Sequence, residues 1–243
     1  MANFIYGFHA VLARLKQHPK SIELVLLDEK RADSRAKSVL EYAKINQIEV
    51  RFDNFKNNKK IESLRHQGVL AYVNAQKKAV QFADLLETLT PPSLLLVLDN
   101  ITDPRNLGAL LRVADGAGAK AVIAPKDRSV GLNEIAIKTA SGAAESVPYV
   151  MVTNLARTLR TLKESGFLVV GLADAAEQNF YQIELSQNLA LVVGSEGEGL
   201  RQLTMKTCDV LAFLPMFGMV ESLNVSVAAG IALFEAQRRY LKN

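Results

Sequence analysis

The polar side chains best suited to chemistry lie in one stretch near the C-terminus, residues 214–230. Within six positions of that stretch stand Glu221, Ser222, Asn224 and Ser226, and an Ala- and Leu-rich helical pattern follows them. Ser and Asn often cap the exposed N–H groups at the start of a helix. A cap needs only one such residue, so four polar residues in six positions favour a binding or catalytic site.

A second group of candidates follows an apolar run at residues 93–99. Asn106 and Arg112 stand in the segment 103–112, whose first residues, Asp-Pro, are typical of a helix start. Their six-residue spacing allows the two side chains to lie on roughly one side of that helix. A guanidinium flanked by Leu and Val needs a partner. A ligand and a structural ion pair would both satisfy it, and the sequence leaves the choice open.

The third candidate is a turn at residues 193–200, which reads Val-Gly-Ser-Glu-Gly-Glu-Gly-Leu. Glycines after an apolar run permit close approach of the backbone to a ligand. The carboxylates of Glu196 and Glu198 would repel a phosphate, and no Lys follows the glycines as it does in phosphate-binding loops. The turn therefore favours a neutral or cationic ligand, and the missing dinucleotide fingerprint argues against a nucleotide-dependent dehydrogenase.

Other common kinds of catalytic site find little support. His9, His18 and His66 lie in the N-terminal third without metal-ligand spacing, which disfavours metal catalysis and a Ser-His-Asp site. The single cysteine, Cys208, excludes a disulfide within the chain and a Cys-rich zinc site. We interpret it as a small buried hydrophobic residue.

The composition is that of a globular protein with a full core. The chain has 243 residues, of which 49% are hydrophobic, and a formal charge of +4 that permits an anionic partner such as RNA. The start of the chain lacks the pattern of a signal peptide, and no apolar run approaches the roughly 18 residues of a membrane span. We therefore expect a cytoplasmic protein without a membrane association.

Alternating helices and strands must position the three candidate stretches. The pattern predicts strands at 93–99, 119–124, 167–172, 189–193 and 210–214, with helices at 82–89, 106–116, 154–164 and 199–206. This alternation indicates a mostly parallel α/β sheet. The run of leucines in the first strand suits a sheet that is covered on both faces. Since such sheets bind ligands at the carboxyl ends of their strands, the candidate loops stand where a site is expected.

The N-terminal part reads as a separate small α/β domain. Its pattern predicts a helix after Gly7, strands at 22–27, 48–52 and 68–73, and a helix at 34–46. Lys and Arg recur throughout, either as an ordinary solvated surface or as a phosphate-contacting face. We predict a substrate-binding domain at residues 1–76, a linker at 77–80 and a second domain at 81–243.

Together the three candidate stretches resemble, in chain order, the three motifs of the SpoU-type RNA ribose 2′-O-methyltransferases of the SPOUT superfamily. The motifs correspond to residues 100–112, 193–200 and 214–230, and their joint occurrence is far more specific than any one alone. The similarity also includes residues 6–11, 66–68, 125–129 and 141–146, and so covers nearly the whole chain. It is strongest to the bacterial branch that methylates a guanosine ribose in large-subunit ribosomal RNA.

The resemblance implies a fold, a cofactor and a set of site residues. The C-terminal domain would be a parallel α/β domain with a trefoil knot, and the N-terminal domain would resemble ribosomal-protein-like RNA-binding domains. The enzyme would be a homodimer that uses S-adenosylmethionine to methylate large-subunit (23S) ribosomal RNA or its assembly precursor. The implied cofactor-binding residues are Val193, Gly194, Leu214, Met216, Gly218 and Leu223. The implied catalytic residues are Asn106, Arg112, Glu196, Ser222 and Asn224.

The resemblance also leaves alternatives. Arg112 would activate the ribose hydroxyl, but a guanidinium is hardly ever deprotonated in proteins, so a clamp on the adjoining phosphate is the other possibility for its role. The protein could also be a ribose 2′-O-methyltransferase of transfer RNA, or a non-catalytic RNA-binding protein of ribosome assembly on the same scaffold. The complete set of candidate catalytic residues argues against the non-catalytic alternative.

Overall fold

A computed structural model describes residues 3–55, 66–73, 80–220 and 222–241. The chain divides into two compact units. The N-terminal unit comprises Met1–Lys78 together with Ser141–Ser146, and the C-terminal unit comprises Ala79–Ala140 and Val147–Asn243. Each unit is built around its own sheet.

The N-terminal unit contains a sheet of four described strands in the order β1-β4-β2-β3. Strands β2 and β3 are parallel, whereas β4 runs antiparallel to both β1 and β2. The elements are β1 (Asn3–Tyr6), α1 (Phe8–Gln17), β2 (Ile22–Asp28), α2 (Ser34–Ile45), β3 (Glu49–Asp53) and β4 (Val69–Val73). The predicted strands and helices of this part are confirmed; β1 was not predicted.

Helices α1 and α2 cover one face of this sheet. Val25, Leu27, Val69 and Ala71 point to that face and form a core with apolar residues of both helices. The alternate residues of the same strands point to the other face, since successive side chains of a strand alternate between the two. The short helix Ala143–Ser146 also belongs to this unit, and its Glu145 pairs with a buried guanidinium of α1, Arg14.

The C-terminal unit contains a parallel sheet whose described strands follow the order β7-β6-β5-β10-β8-β11-β9. These strands are β5 (Ser93–Leu98), β6 (Ala121–Pro125), β7 (Tyr149–Val152), β8 (Leu168–Leu172), β9 (Gln178–Asn179), β10 (Asn188–Val193) and β11 (Val210–Phe213). The helices are α3 (Phe82–Thr88), α4 (Pro104–Gly116), α5 (Glu134–Thr139), α6 (Leu155–Glu164), α7 (Gln202–Thr207) and α8 (Val225–Tyr240). The predicted parallel α/β sheet is confirmed.

The leucine-rich strand β5 lies in the interior of this sheet. All six of its residues are buried, and it lies between β6 and β10. The sequence prediction of a strand covered on both faces is therefore confirmed. The strands β7 and β9 and the helix α5 were not predicted, because they are short and have no clear period in the sequence.

One predicted helix starts later than expected. The pattern places a helix at residues 199–206, whereas α7 begins at Gln202. Gly199 has a φ of +65°, and its N–H donates to the carbonyl of Ser195 at 2.9 Å. These residues close a turn instead of beginning the helix, and the left-handed backbone of Gly199 is compatible with glycine more than with other residues.

Helices α4 and α8 are held close together by small residues. A Cβ on Gly230 would lie 3.3 Å from a methyl group of Val113, so this glycine permits α8 to approach α4. On another side of α4, a Cβ on Gly108 would lie 2.5 Å from the carbonyl oxygen of Ala136, which is part of α5. The packing therefore fixes the position of α4 against two neighbouring helices, and with it the position of Asn106.

Candidate active site

The candidate site lies where β5 and β10 end. These two parallel strands are neighbours, and Val193 at the end of β10 pairs with Leu98 at the end of β5. The loops that follow both strands therefore leave the sheet side by side. Helices α4 and α8 begin at the same edge, so the first, second and third candidate stretches meet there, as the carboxyl-edge rule for parallel sheets predicts.

Three of the predicted catalytic side chains form one hydrogen-bonded cluster. The amide nitrogen of Asn224 donates to the amide oxygen of Asn106 at 3.1 Å. The amide nitrogen of Asn106 donates to Glu196 at 3.3 Å, and Asn224 also approaches the two carboxylate oxygens of Glu196 at 3.5 and 3.4 Å. We refer to Asn106, Glu196 and Asn224 as the amide cluster. It joins residues that are up to 118 positions apart in the chain.

Asn224 is both a helix cap and a member of this cluster. Its side-chain oxygen accepts hydrogen bonds from the backbone N–H of Ser226 at 3.0 Å and from the Ser226 hydroxyl at 2.6 Å, at the start of α8. Its amide nitrogen faces Asn106 and Glu196. The prediction that a cap explains one of the polar residues is confirmed, and the same residue also takes part in the network.

The glycine-rich turn between β10 and α7 folds back tightly on itself. A Cβ on Gly194 would lie only 2.1 Å from the backbone carbonyl of Gly199, so only glycine fits at this position. The hydroxyl of Ser195 is buried and has no hydrogen-bond partner among the described residues. Glu196 and Glu198 remain exposed on the turn. A buried hydroxyl without a partner, together with two carboxylates, fits a polar ligand with cationic character.

A second polar cluster, an ion pair, stabilises this edge and was not predicted from the sequence. Asp99, which is fully buried, follows β5 and accepts hydrogen bonds from Arg201: the backbone N–H at 2.9 Å and the side-chain Nε at 2.6 Å. The Nη2 of Arg201 lies 2.5 Å from the same carboxylate. The pair ties the end of β5 to the start of α7. A charged residue directly after a buried strand was the available signal, but its partner 102 positions away is not visible in the sequence.

A further bond fastens the glycine-rich turn to the loop after β5. The amide nitrogen of Asn100 donates to Glu198 at 2.9 Å. Asn100 has a φ of +64°, a left-handed conformation that Asn adopts more readily than most residues other than glycine. The turn is therefore attached through each of its two carboxylates, one bound by Asn100 and the other by Asn106.

Arg112 does not join the amide cluster. It is exposed on α4, and it has no hydrogen bond or ion pair with any residue that the structure describes. Of the two kinds of partner that the sequence left open, a structural ion pair is not found among the described residues, because the side chain points to solvent instead of into the apolar interior. Six residues along a helix correspond to about 120° around its axis, so Arg112 and Asn106 do not lie on one side of α4.

Ser222 also stands apart. It is exposed and makes no hydrogen bond to the amide cluster in the described structure, whereas Glu221 lies outside the described residues. The cluster therefore brings together Asn106, Glu196 and Asn224 of the predicted catalytic set, and leaves the side chains of Arg112 and Ser222 directed to solvent.

The residues implied to bind the cofactor lie at the same edge of the sheet. Val193 is buried at the end of β10, and Gly194 is half-buried directly after it. The other four lie in the segment between β11 and α8, and Leu223 comes directly before the cap of α8. Leu214, Met216 and Leu223 are half-buried, and Gly218 is exposed. The strands β10 and β11 are both neighbours of β8, so these residues flank one short section of the sheet edge.

Within the described residues, no three His, Cys, Asp or Glu side chains stand close enough to hold a metal ion. No helix in the described part of the chain is both long and apolar enough to cross a membrane.

The sequence of the C-terminal unit matches a known family over most of its length. Residues 93–234 match the SpoU rRNA Methylase family, and they contain the amide cluster and both ends of the glycine-rich turn. The chain belongs to the SpoU rRNA Methylase family. Residues 4–79 match a domain described as RNA 2′-O ribose methyltransferase substrate binding. The family resemblance seen in the sequence is thereby confirmed.

Two SpoU relatives are similar to nearly the full chain. A 23S rRNA (guanosine-2′-O-)-methyltransferase RlmB from Neisseria meningitidis serogroup B is 53% identical over 98% of this chain and 96% of its own length. The SpoU methyltransferase AviRb from Streptomyces viridochromogenes, solved with the cofactor AdoMet, has the same fold: its TM-score is 0.78 at 20% identity, with coverage of 99% of this chain and 91% of that chain.

A third relative covers less of this chain. The A. aeolicus TrmH/SpoU tRNA modifying enzyme is 30% identical and has a TM-score of 0.57. It aligns with 66% of this chain and 83% of its own. A SpoU enzyme with a tRNA-modifying description thus lacks a counterpart for about a third of the present chain, whereas the RlmB relative matches nearly all of it.

Proposed function

We propose that this SpoU protein transfers the methyl group of S-adenosylmethionine to the ribose 2′-hydroxyl of a guanosine in 23S ribosomal RNA. The observation that carries the proposal is the 53% identity to the RlmB enzyme over 98% of this chain. The amide cluster supports it, because it assembles one residue from each of the three motifs that define the resemblance. The 66% coverage by the tRNA modifying enzyme makes a transfer-RNA substrate the weaker alternative.

The residues at the carboxyl edge fit S-adenosylmethionine. When bound, this cofactor supplies an electrophilic methyl group on a cationic sulfonium. The carboxylates of Glu196 and Glu198 are compatible with a cation, and the buried Ser195 hydroxyl is available as a hydrogen-bonding group. We assign cofactor binding to the six residues that the resemblance implies: Val193, Gly194, Leu214, Met216, Gly218 and Leu223.

The amide cluster would orient the reacting groups. A ribose hydroxyl is a weak nucleophile, and holding it at about 3–3.5 Å from its target in the right direction is a large part of catalysis. Asn106 and Asn224 provide amide groups that donate and accept hydrogen bonds, and Glu196 provides acceptors. Their mutual bonds keep all three side chains near their working positions before RNA arrives. Glu196 in this arrangement holds the loops together and does not need to abstract a proton.

Arg112 would bind the RNA directly. Its exposed guanidinium has no partner in the described fold, which leaves its donors available for a phosphate group. A bidentate contact from arginine to a phosphate fixes both distance and angle. Because a guanidinium retains its proton in proteins, we favour the clamp over a catalytic base. Ser222, also exposed, would contact the same nucleotide from the third motif.

The remaining assignments concern the domains and the assembly. We propose that residues 1–76 bind the RNA substrate, that residues 77–80 link the two domains, and that residues 81–243 form the knotted methyltransferase domain. The protein would act as a cytoplasmic homodimer joined through the C-terminal domain. Support comes from large apolar side chains that this domain leaves exposed: Phe217 at 94%, Met219 at 102% and Phe234 at 53%. Such side chains on a monomer mark surfaces that pair with another protein.

The test is methyl transfer from S-adenosylmethionine with a labelled methyl group to RNA that lacks its 2′-O-methyl groups. The protein would be offered 23S rRNA, 16S rRNA and transfer RNA in separate reactions, each as naked RNA and as an assembly precursor where one exists. We expect label in 23S rRNA alone. Label in transfer RNA alone would assign the protein to the tRNA-modifying branch. Cofactor binding without label in any of these RNAs would contradict the proposed function and favour the non-catalytic alternative.

A further inference from the structure

The outer face of the N-terminal sheet carries a group of aromatic side chains on β1 and β4. Phe4 and Tyr72 are direct partners across the antiparallel pair, and their ring centroids lie 6.4 Å apart at an angle of 71°. Tyr6, two residues along β1, places its ring 6.4 Å from that of Phe4. We refer to Phe4, Tyr6 and Tyr72 as the aromatic group. It lies on the face opposite to helices α1 and α2, since Tyr6 and Tyr72 pack with Leu26 and Leu70 on that side.

Part of this face is core and part is surface. Leu26, Phe55 and Leu70 are buried in the middle of the face, whereas Phe4 on the edge strand is 40% exposed. Tyr72 is half-buried beside it. The ring of Phe4 is exposed, and the rings of Tyr6 and Tyr72 lie beside it. It therefore offers a flat contact surface, and its position on a strand fixes its direction.

The charge of the chain indicates which kind of molecule fits this surface. Residues 1–78 contain 15 Lys and Arg but 8 Asp and Glu, a formal charge of +7, while residues 79–243 carry −3. The positive charge of the whole chain thus comes from the part that contains the aromatic group. A net positive charge together with accessible aromatic rings is a combination by which proteins hold single-stranded nucleic acid: phosphates are attracted and bases stack.

We propose that the aromatic group binds unpaired bases of the RNA substrate, with one base stacked on the ring of Phe4. Unpaired RNA bases are recognised largely by stacking on aromatic side chains, whereas the bases of a duplex are not accessible to such rings. The inference deepens the proposed function, since it assigns the part of the N-terminal unit that holds the RNA. The substrate class is therefore RNA with an unpaired segment.

The experiment measures the affinity of the full-length protein for fluorophore-labelled single-stranded RNA and for a duplex of the same length. Phe4→Ala should weaken binding of the single strand about tenfold, as loss of one stacked base does, and leave duplex binding nearly unchanged. Phe4→Tyr keeps an aromatic ring and should bind like the wild type. Phe4→Leu keeps most of the apolar volume without a ring, and should bind as weakly as Phe4→Ala while its melting temperature stays that of the wild type.

Phe52 supplies a matched control on the same sheet. It is 54% exposed, but it pairs with Leu27 on β2 and therefore lies on the helix side of the sheet. Phe52→Ala should leave RNA affinity unchanged. A second readout is photo-crosslinking of RNA that contains 5-bromouridine, followed by mass spectrometry, which should place the crosslink on Phe4 or Tyr72.

Several results would overturn the proposal. These are wild-type affinity in both Phe4→Ala and Phe4→Leu, an equal loss in Phe52→Ala, or no binding of single-stranded RNA by the wild type. Unchanged RNA affinity combined with a changed sedimentation coefficient in Phe4→Ala would mean that the face contacts protein instead. Methyl transfer by the wild type is scored separately. If Phe4→Ala loses affinity for single-stranded RNA and the wild type transfers no methyl group to RNA, the stacking site is supported and the proposed function is contradicted.

Discussion

Two polar clusters stand at the same edge of the C-terminal sheet, and they are built differently. The pair of Asp99 and Arg201 is held by contacts of 2.5 to 2.9 Å around a carboxylate that is fully buried. The amide cluster of Asn106, Glu196 and Asn224 is held by contacts of 3.1 to 3.5 Å, and its carboxylate is exposed. Both clusters connect the loops that follow β5 and β10.

The difference in length and burial indicates a difference in role. Short charge-assisted hydrogen bonds in a buried place are strong, and a broken one leaves an uncompensated charge. Bonds longer than about 3.2 Å between exposed groups are weak and exchange readily for other partners. The buried pair therefore maintains the shape of the edge, while the amide cluster keeps its side chains near their working positions and can still rearrange around a substrate.

The largest expected effect on stability is that of Arg201→Ala. Its removal leaves the carboxylate of Asp99 buried without its cation, which should lower the free energy of unfolding by about 3 kcal/mol. Urea denaturation followed by circular dichroism measures the change. Arg238→Ala, which removes a solvent-exposed guanidinium from its pair with Glu235, is the control and should lower the free energy of unfolding far less. Equal losses in the two variants would contradict the structural role of Asp99 and Arg201.

Substitutions in the amide cluster should affect the rate of methyl transfer more than the stability. Glu196→Gln weakens its contacts to Asn106 and Asn224, and we expect the rate of methyl transfer to fall about 10- to 100-fold, as for a misplaced catalytic group. The free energy of unfolding should change by less than about 0.5 kcal/mol, since the residue is exposed. Glu198→Gln alters the other carboxylate of the same turn and should have a smaller effect on the rate. A loss of stability as large as that of Arg201→Ala would remove the distinction between the clusters.

Asn224 both caps α8 and belongs to the amide cluster, and two substitutions separate these roles. Asn224→Ala removes the cap of α8 and should lower the free energy of unfolding by about 1 kcal/mol, with slower methyl transfer. Asn224→Asp retains the capping oxygen but puts a negative charge against Glu196, so the stability should be closer to that of the wild type while transfer is still slow. Thermal melts and single-turnover rates on the same preparations check this. Full activity in Asn224→Asp would show that only the cap matters.

The smallest expected effect concerns an ion pair far from the site, at the end of α8. Hydrogen bonds from Arg238, and also from Arg239, lower the pKa of Glu235 to about 2 from its usual 4.5. A lowered pKa in the folded state stabilises the protein above the unfolded pKa, and this contribution is lost as the pH falls from about 4.5 toward 2. Glu235→Gln should therefore be less stable than the wild type at pH 7 by under about 1 kcal/mol, and the difference should shrink at pH 3.

The comparison between Glu235→Gln and the wild type also controls for general acid effects. Both proteins protonate their other carboxyl groups alike, so only the difference between their urea midpoints reports on Glu235. A difference that grows as the pH falls would contradict the direction of the pKa shift.

Much of the fold could be predicted from the sequence, because the strands of the C-terminal sheet are continuous apolar runs separated by helical patterns. The amide cluster was also within reach, since each of its members stands in a recognisable motif. The partner of Asp99 was not, because a contact between residues 102 positions apart depends on which strands are neighbours. The exposure of Arg112 was misjudged for a related reason: its apolar sequence neighbours lie on other sides of α4.

The most direct test of the central claim is the identity of the methylated nucleoside. Ribosomal RNA labelled by the protein with S-adenosylmethionine would be digested to nucleosides and separated by chromatography against standards. The proposed function predicts that the label elutes with 2′-O-methylguanosine, and that Asn106→Ala forms the same product more slowly. Label in a base-methylated nucleoside, or in another 2′-O-methyl nucleoside, would contradict it.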